Sequence, residues 1–206
     1  MSKNKPNKHW LNEHRSDVYV KKSKDEHYRS RAVYKLKEID QKDKLIKQGS
    51  IVVDLGAAPG GWSQYAVERV GQSGRVFAFD ILEMESIMHV NFIHGDFTEE
   101  EAELRLLNEI DQNKVDLVIS DMAPNLTGIR MTDQARSIAL CELVAEFCGK
   151  ALKPGGDLLI KVFEGAGTQQ FRQQLQEQFV RVLTRKPDAS RDKSREFYVL
   201  ARSYGL

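Results

Sequence analysis

The pattern of apolar positions divides the chain into a polar beginning and a regularly alternating body. Residues 1–27 are polar, interrupted by Trp10, Val18 and Tyr19, and show no clear period. From Tyr28 to about Lys44 the apolar positions Ala32, Val33, Leu36, Ile39 and Leu45 recur at helical spacing, which predicts an amphipathic helix docked on the body. Short, continuous apolar runs then alternate with helical stretches. IVVDL at 51–55 predicts a strand, and a helix follows from about Gly61 to Gln72. GRVFAFDI at 74–81 and VNFIHGDF at 90–97 predict two more strands, followed by a Glu- and Leu-rich helix over 98–111. KVDLVISDMAP at 114–124 is a fourth strand, and a long helix over 132–152 closes at Lys153-Pro154-Gly155-Gly156. DLLIKVF at 157–163 is a fifth strand. After a helix near 167–177, FVRVLTRK at 179–186 and REFYVLARS at 195–203 read as an antiparallel pair closing the sheet.

Apolar strands alternating with helices imply a sheet buried on both faces, so the fold class expected is α/β. The architecture predicted is a Rossmann-like, mostly parallel central sheet with helices on both faces and an antiparallel C-terminal strand. The organisation expected is a basic, partly disordered arm over 1–27 and a single domain over 28–206.

Charge changes this picture more than composition does. The formal net charge is only +1, but residues 1–48 carry 14 Lys and Arg against 7 Asp and Glu, while the remainder carries 17 against 23. A basic arm on an acidic body suits a phosphate backbone, because each neutralised phosphate releases counterions. The 41% apolar content supports one buried core. No run of about 18 apolar residues is present. The start, MSKNKPNKHW, has neither the apolar core of a secretory signal nor the Arg- and Ser-rich pattern of a transit peptide, so a soluble, cytoplasmic protein is expected. Cys141 and Cys148 fall on one face of the long helix and are expected to pack rather than pair.

The stretch VVDLGAAPGGWSQY at 52–65 joins a strand to a helix through a turn rich in glycine, where open α/β sheets bind ligands. The dinucleotide fingerprint is absent, because Ala58 stands where its second glycine belongs and Pro59 follows. Carboxylates instead mark the strand ends: Asp54, Asp80, Asp96 and Asp121. Each alone reads equally well as a helix cap. Together they predict an acidic pocket that repels pyrophosphate and suits a ligand carrying a sulfonium and an ammonium group, S-adenosylmethionine. Asp80 lies 20 residues after Gly60, where a carboxylate reaches adenosine ribose hydroxyls.

Four polar residues then stand out: Lys35 in RAVYKL, Asp121 in DMAPN, Lys161 inside the apolar LLIKVF, and Glu196 in REFYVL. A lysine in so apolar a strand is costly unless paired, or unless it snorkels from a strand end. Paired with Asp121 and Glu196, it becomes a candidate general base for a ribose hydroxyl, a poor nucleophile at neutral pH.

On the stretches SRAVYKL, VDLGAAPGGWSQY, DMAPN, LIKVF and SREFYVLAR, the sequence resembles the FtsJ/RrmJ family of ribosomal RNA large-subunit 2′-O-methyltransferases from about Trp10 to Tyr204. The resemblance implies a catalytic tetrad of Lys35, Asp121, Lys161 and Glu196, with Lys161 as proton acceptor. It places cofactor contacts at Gly60, Trp62, Asp80, Asp96 and Asp121. It implies S-adenosylmethionine as methyl donor and a uridine ribose in the A-loop of 23S rRNA as acceptor, within the assembled large subunit. A monomer without a membrane is expected, and no metal, since the five histidines show no ligand spacing. Two alternatives stay open: 2′-O-methylation of tRNA or an mRNA cap, and a non-catalytic RNA-binding assembly factor.

Overall fold

The computed structural model describes residues 17–110, 115–191 and 194–205. Seven strands form one sheet: β1 Ile51–Leu55, β2 Arg75–Asp80, β3 Val90–His94, β4 Val115–Ser120, β5 Leu152–Phe163, β6 Phe179–Arg185 and β7 Glu196–Tyr204. Their order is β3-β2-β1-β4-β5-β7-β6. The pairings from β3 across to β5 are parallel, and β7 runs antiparallel to both β5 and β6. The expected α/β class and antiparallel C-terminal strand are therefore those of the fold. The helices are α1 Val18–Asp25, α2 Val33–Asp43, α3 Gly61–Val70, α4 Glu100–Glu109, α5 Arg130–Ala151 and α6 Thr168–Gln178. Among the described residues, no helix is long and apolar enough to cross a membrane.

The two-residue period of the strands sorts their side chains into two cores. Val53, Leu55, Phe77, Phe79, Val118 and Ile160 pack against α4, α5 and α6 on one face. Val52, Val76, Leu117, Ile119, Leu159 and Leu200 pack against α2 and α3 on the other. Each such side chain contributes about 1.5–3 kcal/mol by leaving water. Counting on by twos, Asp54, Asp80, Asp121, Lys161, Glu196 and Tyr198 all fall on the α2–α3 face. Six polar residues from five separate stretches of the chain thus share one side of one sheet. Cys141 and Cys148 are free thiols buried in the opposite core, as expected from their spacing.

Three local expectations need correction. Residues 18–25, read as part of an aperiodic arm, form α1; residues 1–16 of that arm lie outside the described residues. The carboxylate of Asp17 caps α1 by accepting from the Tyr19 amide at 3.0 Å, and the Tyr19 ring lies 5.4 Å from that of Tyr34. Eight residues are too short to be helical alone, so tertiary contacts rather than periodicity hold this helix. The helix expected from Tyr28 begins only at Val33. Strand β5 starts at Leu152 rather than 157: Leu152 pairs with Val115, and the register then shifts before Asp157 meets Leu117. Gly155 at φ +81° makes that bulge possible.

Candidate active site

The parallel sheet delivers its functional side chains at the carboxyl ends of β1, β2, β4 and β5, where the chain turns back into helices. Strand β7, running the opposite way, begins at that same edge. In the β5–β7 register Lys161 pairs with Tyr198 and Phe163 with Glu196. One antiparallel pairing therefore seats Lys161, Tyr198 and Glu196 as neighbours, and α2, lying over them, supplies Lys35.

The geometry is a row of linked polar groups. Lys161 is 8% exposed, and its Nζ lies 3.1 Å from Asp121 Oδ1 and also donates to the Asp121 carbonyl. The Tyr198 hydroxyl donates to the same Oδ1 at 2.7 Å. Lys35 Nζ lies 2.6 Å from Glu196 Oε1 and 5.9 Å from the centre of the Tyr198 ring. Sequence reasoning missed Tyr198, which lies between the two ion pairs and is fully buried. Its signal was present as the residue two past Glu196, on the same strand face. Burial, then the carboxylates of Asp121 and Glu196, raise its pKa well above the usual phenol value, so it stays a donor. A cleft of about 440 Å³ borders the Lys35–Glu196 end of the row and is lined by Arg31, Ala32, Arg191 and Ser194 as well. Arg31 donates to the Asp17 carboxylate and to the Ala189 carbonyl, tying α1 to the β6–β7 connection.

The glycine turn lies at the end of β1. Gly56 and Gly60 adopt φ +79° and +108°, left-handed values that a side chain resists. A Cβ at Gly60 would sit 2.7 Å from Ile87 and 2.8 Å from the Met84 sulfur, so the loop after β2 folds over the turn. Arg29, whose bracing role the sequence did not reveal, clips that loop down. Its guanidinium donates to the carbonyls of Pro59 at 3.2 Å, Glu85 at 2.7 Å and Ser86 at 3.0 Å. The segment bearing Arg29 is itself held by Gln64 of α3, whose side chain accepts from the Arg29 amide and donates to the His27 carbonyl.

The predicted cofactor residues divide. Asp80 accepts from the amides of Ala58 at 2.9 Å and Leu82 at 2.8 Å, so it braces the loops on both sides while keeping lone pairs for a ligand. Asp96 accepts from the Thr98 amide and hydroxyl, a local turn just before α4. Gly60 is the first-turn cap of α3. The Trp62 side chain is buried away from the turn: its Nε1 donates to the Ala32 carbonyl at 2.8 Å and its ring lies 5.7 Å from that of Tyr198. A ligand at the turn would meet the backbone of Trp62, not its indole.

Asp54, expected to line the pocket, lies instead beneath it. Its Oδ2 accepts from Ser63 at 2.6 Å, and its Oδ1 is buried with no hydrogen-bond partner. Burial pushes its pKa up to about 7, opposed by the Ser63 hydrogen bond and reinforced by the carboxylates of Asp121 and Asp80. An unsatisfied carboxylate under a glycine turn, with two more beside it, is an environment that a bound cation relieves. That donor chemistry fits a sulfonium and an ammonium, as the sequence led us to expect.

A raised carboxyl pKa makes the native state bind the extra proton between about pH 4 and 7, so Asp54 should cost stability progressively as the pH climbs through that window. The Asp54→Asn protein lacks this titration. Its melting temperature minus that of the parent should therefore grow by several degrees, on the order of 5 °C, from pH 5 to pH 8.5. Differential scanning fluorimetry at matched ionic strength measures it, and a gap that stays flat would show that Asp54 titrates normally.

Comparison with known proteins identifies the family of the chain. The family described as FtsJ-like methyltransferase matches residues 28–204. The chain is 56% identical over 197 residues to ribosomal RNA large subunit methyltransferase E of Alkalilimnicola ehrlichii, covering 96% of this chain and 94% of that protein. It is 53% identical over 206 residues to the protein of the same name from Legionella pneumophila, with both chains covered in full. It is also 53% identical over 204 residues to that from Pseudomonas paraeruginosa, at 99% of each. Among solved structures, a ribosomal RNA methyltransferase from Plasmodium falciparum superposes with a TM-score of 0.79 at 30% identity, over 86% of this chain and 98% of that one.

Proposed function

Because the chain belongs to the FtsJ-like methyltransferase family, we propose that its row of lysines and carboxylates transfers a methyl group to a ribose 2′-hydroxyl of large-subunit ribosomal RNA. The acceptor in this reading is a uridine of the 23S rRNA A-loop, met within the assembled subunit in the cytoplasm, and the enzyme works as a monomer. The observation that carries the reading is Lys161, an amine on the buried floor of the site with Asp121 and Tyr198 gathered around it. Relatives with more than half of their residues in common carry the name of a large-subunit ribosomal RNA methyltransferase.

S-adenosylmethionine, when bound, supplies a methyl group on an electron-poor sulfonium. The Gly60 turn, the backbone of Trp62 and the carboxylates of Asp80, Asp96 and Asp121 would hold it. Asp54 adds negative charge from below. The Lys161 amine is placed to take the proton from the ribose hydroxyl as the oxygen attacks. Asp121 fixes the position of that amine through its carboxylate and its carbonyl, and Tyr198 fixes Asp121. Lys35, braced by Glu196, presents a second positive charge at the mouth of the cleft, where the approaching RNA is anionic. Arg31 and Arg191 in the cleft and the basic residues of 1–27 extend that attraction along the phosphates. Much of the acceleration comes from alignment of oxygen, methyl and sulfur, which a rigid sheet edge provides.

The test is tritiated-methyl transfer from S-adenosylmethionine to isolated large subunits, deproteinised rRNA and tRNA in parallel, followed by nucleoside analysis. Label in 2′-O-methyluridine from large subunits is expected. Label in a methylated base would overturn the chemistry, and label in tRNA alone would overturn the substrate. No label on any RNA would favour an RNA-binding assembly factor.

Arg29 acts here as a positioning residue, since its three carbonyl partners hold the loop after β2 against the Gly60 turn. In the Arg29→Ala protein we expect cofactor affinity to fall about tenfold, about 1.4 kcal/mol, measured by isothermal titration calorimetry. Unchanged affinity would mean that the packing of Met84 and Ile87 holds the loop unaided.

A further inference from the structure

On the Asp121 side, the rim of the site is apolar. Leaving β4, the chain passes through the loop 121–129 into α5, and it exposes Leu126 at 73%, Ile129 at 63% and Met131 at 85%. Large apolar side chains gathered on a surface mark a contact site, since each forfeits the free energy of burial. This loop is also built to hold its shape. The Asp133 carboxylate accepts from the Thr127 amide and hydroxyl, both at 2.7 Å, and from the Gly128 amide at 3.1 Å. The Thr127 hydroxyl accepts in turn from the Ile129 amide. Next to Asp133 on α5, the Gln134 side chain donates to the carbonyls of Phe163 at the end of β5 and Ala166 beyond it, both at 3.1 Å. The crest is thus fixed relative to the strand ends that carry Asp121 and Lys161. A Cβ added at Gly128 would meet nothing within 4 Å, so the crest stands clear of the body. Arg130 and Arg136, both exposed, flank it with positive charge.

The depth of the site says what such a crest is for. Lys161 is 8% exposed, so a ribose hydroxyl that reaches it must belong to a nucleotide drawn out of its stack. Extrusion leaves a gap between neighbouring bases, and proteins that unstack nucleic acids fill such gaps with Leu, Ile or Met. Arginines beside the crest suit the phosphates on either side. We infer that Leu126, Ile129 and Met131 form a wedge that enters the base stack beside the acceptor nucleotide and holds that nucleotide turned toward Lys161. The inference rests on the 2′-hydroxyl reading above and deepens it, by naming the surface that prepares the substrate.

Two measurements test it on large subunits from cells lacking the methyl mark. In the first, a benzophenone side chain replaces Leu126 or Met131, and after irradiation the crosslinks are mapped as reverse-transcription stops. Stops within a few nucleotides of the methylated ribose are expected. The same probe at Val180, exposed on edge strand β6, should give none there. In the second, the Leu126→Ser/Ile129→Ser/Met131→Ser protein is assayed beside the parent. We expect kcat to fall about tenfold or more, with cofactor affinity and melting temperature unchanged. Crosslinks to a ribosomal protein, or stops scattered through the RNA, would overturn the wedge. So would a triple variant with parental kcat while the parent forms 2′-O-methyl product normally. A parent that forms no such product would remove the underlying reading and the wedge with it.

Discussion

The Lys161→Ala protein is expected to bind RNA and S-adenosylmethionine with near-parental affinity and to transfer methyl groups about 1,000-fold more slowly, the span that a positioned general base contributes. The expectation follows from where Lys161 is. Its stem is packed in an apolar strand, so the alanine variant opens a small space at the site floor without disturbing the Gly60 turn or the cleft. Asp121 still meets the Tyr198 hydroxyl in that variant, so the row keeps its shape without its amine. Single-turnover assays with saturating cofactor separate the chemical step from product release. Calorimetry and a gel-shift on the same preparation report the two affinities. Parental turnover would mean that another group, or water alone, takes the proton. Lost cofactor binding would mean that Lys161 shapes the pocket rather than the chemistry.

The Asp121→Ala protein, which also loses the group that positions the Lys161 amine, should show the second large effect in its stability. Lys161 and Asp121 are both mostly buried, at 8% and 19% side-chain exposure. Removing the carboxylate leaves an ammonium and a phenol hydroxyl in a setting with little water, a loss of about 3 kcal/mol. Lys161→Met, which removes the ammonium and keeps the stem, should cost less, because the Asp121 carboxylate it leaves is 19% exposed and still accepts from the Tyr198 hydroxyl. Urea unfolding of both variants and of the double variant closes the cycle. Equal losses for the two single variants would contradict this asymmetry, and would mean that the ion pair itself stabilises the fold. The expected outcome makes the pair a catalytic expense that the two hydrophobic cores carry.

Most of the fold was legible in the chain because continuous apolar runs of five or six residues, separated by helical periods, admit few arrangements other than a covered parallel sheet. The order at the C-terminal end was also written there. FYVLA in β7 is apolar on both faces and belongs inside the sheet, whereas FVRVLTR in β6 alternates and belongs at the edge. Recognising a hairpin was not enough to see which of its arms inserts. Asp54 was misread because a strand-end carboxylate and a buried one look alike in sequence; the two-residue period places it under α3, where Ser63 meets it. Helix α1 was invisible because its support comes from Asp17, Tyr34 and Arg31 rather than from its own pattern. The bracing role of Arg29 and the place of Tyr198 in the row were missed for a related reason. One acts through backbone carbonyls distant in sequence, and the other through a partner on a different strand.

Inserting β7 between β5 and β6 has a consequence for how the protein is made. Lys35 precedes the first strand and Glu196 lies on β7, which is synthesised after the other six strands of the sheet. A nascent chain can pair β1 to β5 early, but it has no complete active site until β7 threads into the sheet. Contacts of such sequence separation close slowly, because most of the chain entropy must be lost before they form. Until then β5 offers an unpaired edge, the surface at which unfinished sheets find wrong partners. The chemistry and the closing of the sheet therefore arrive in the same event, and a chain that stalls short of β7 holds an open-edged sheet without its chemistry.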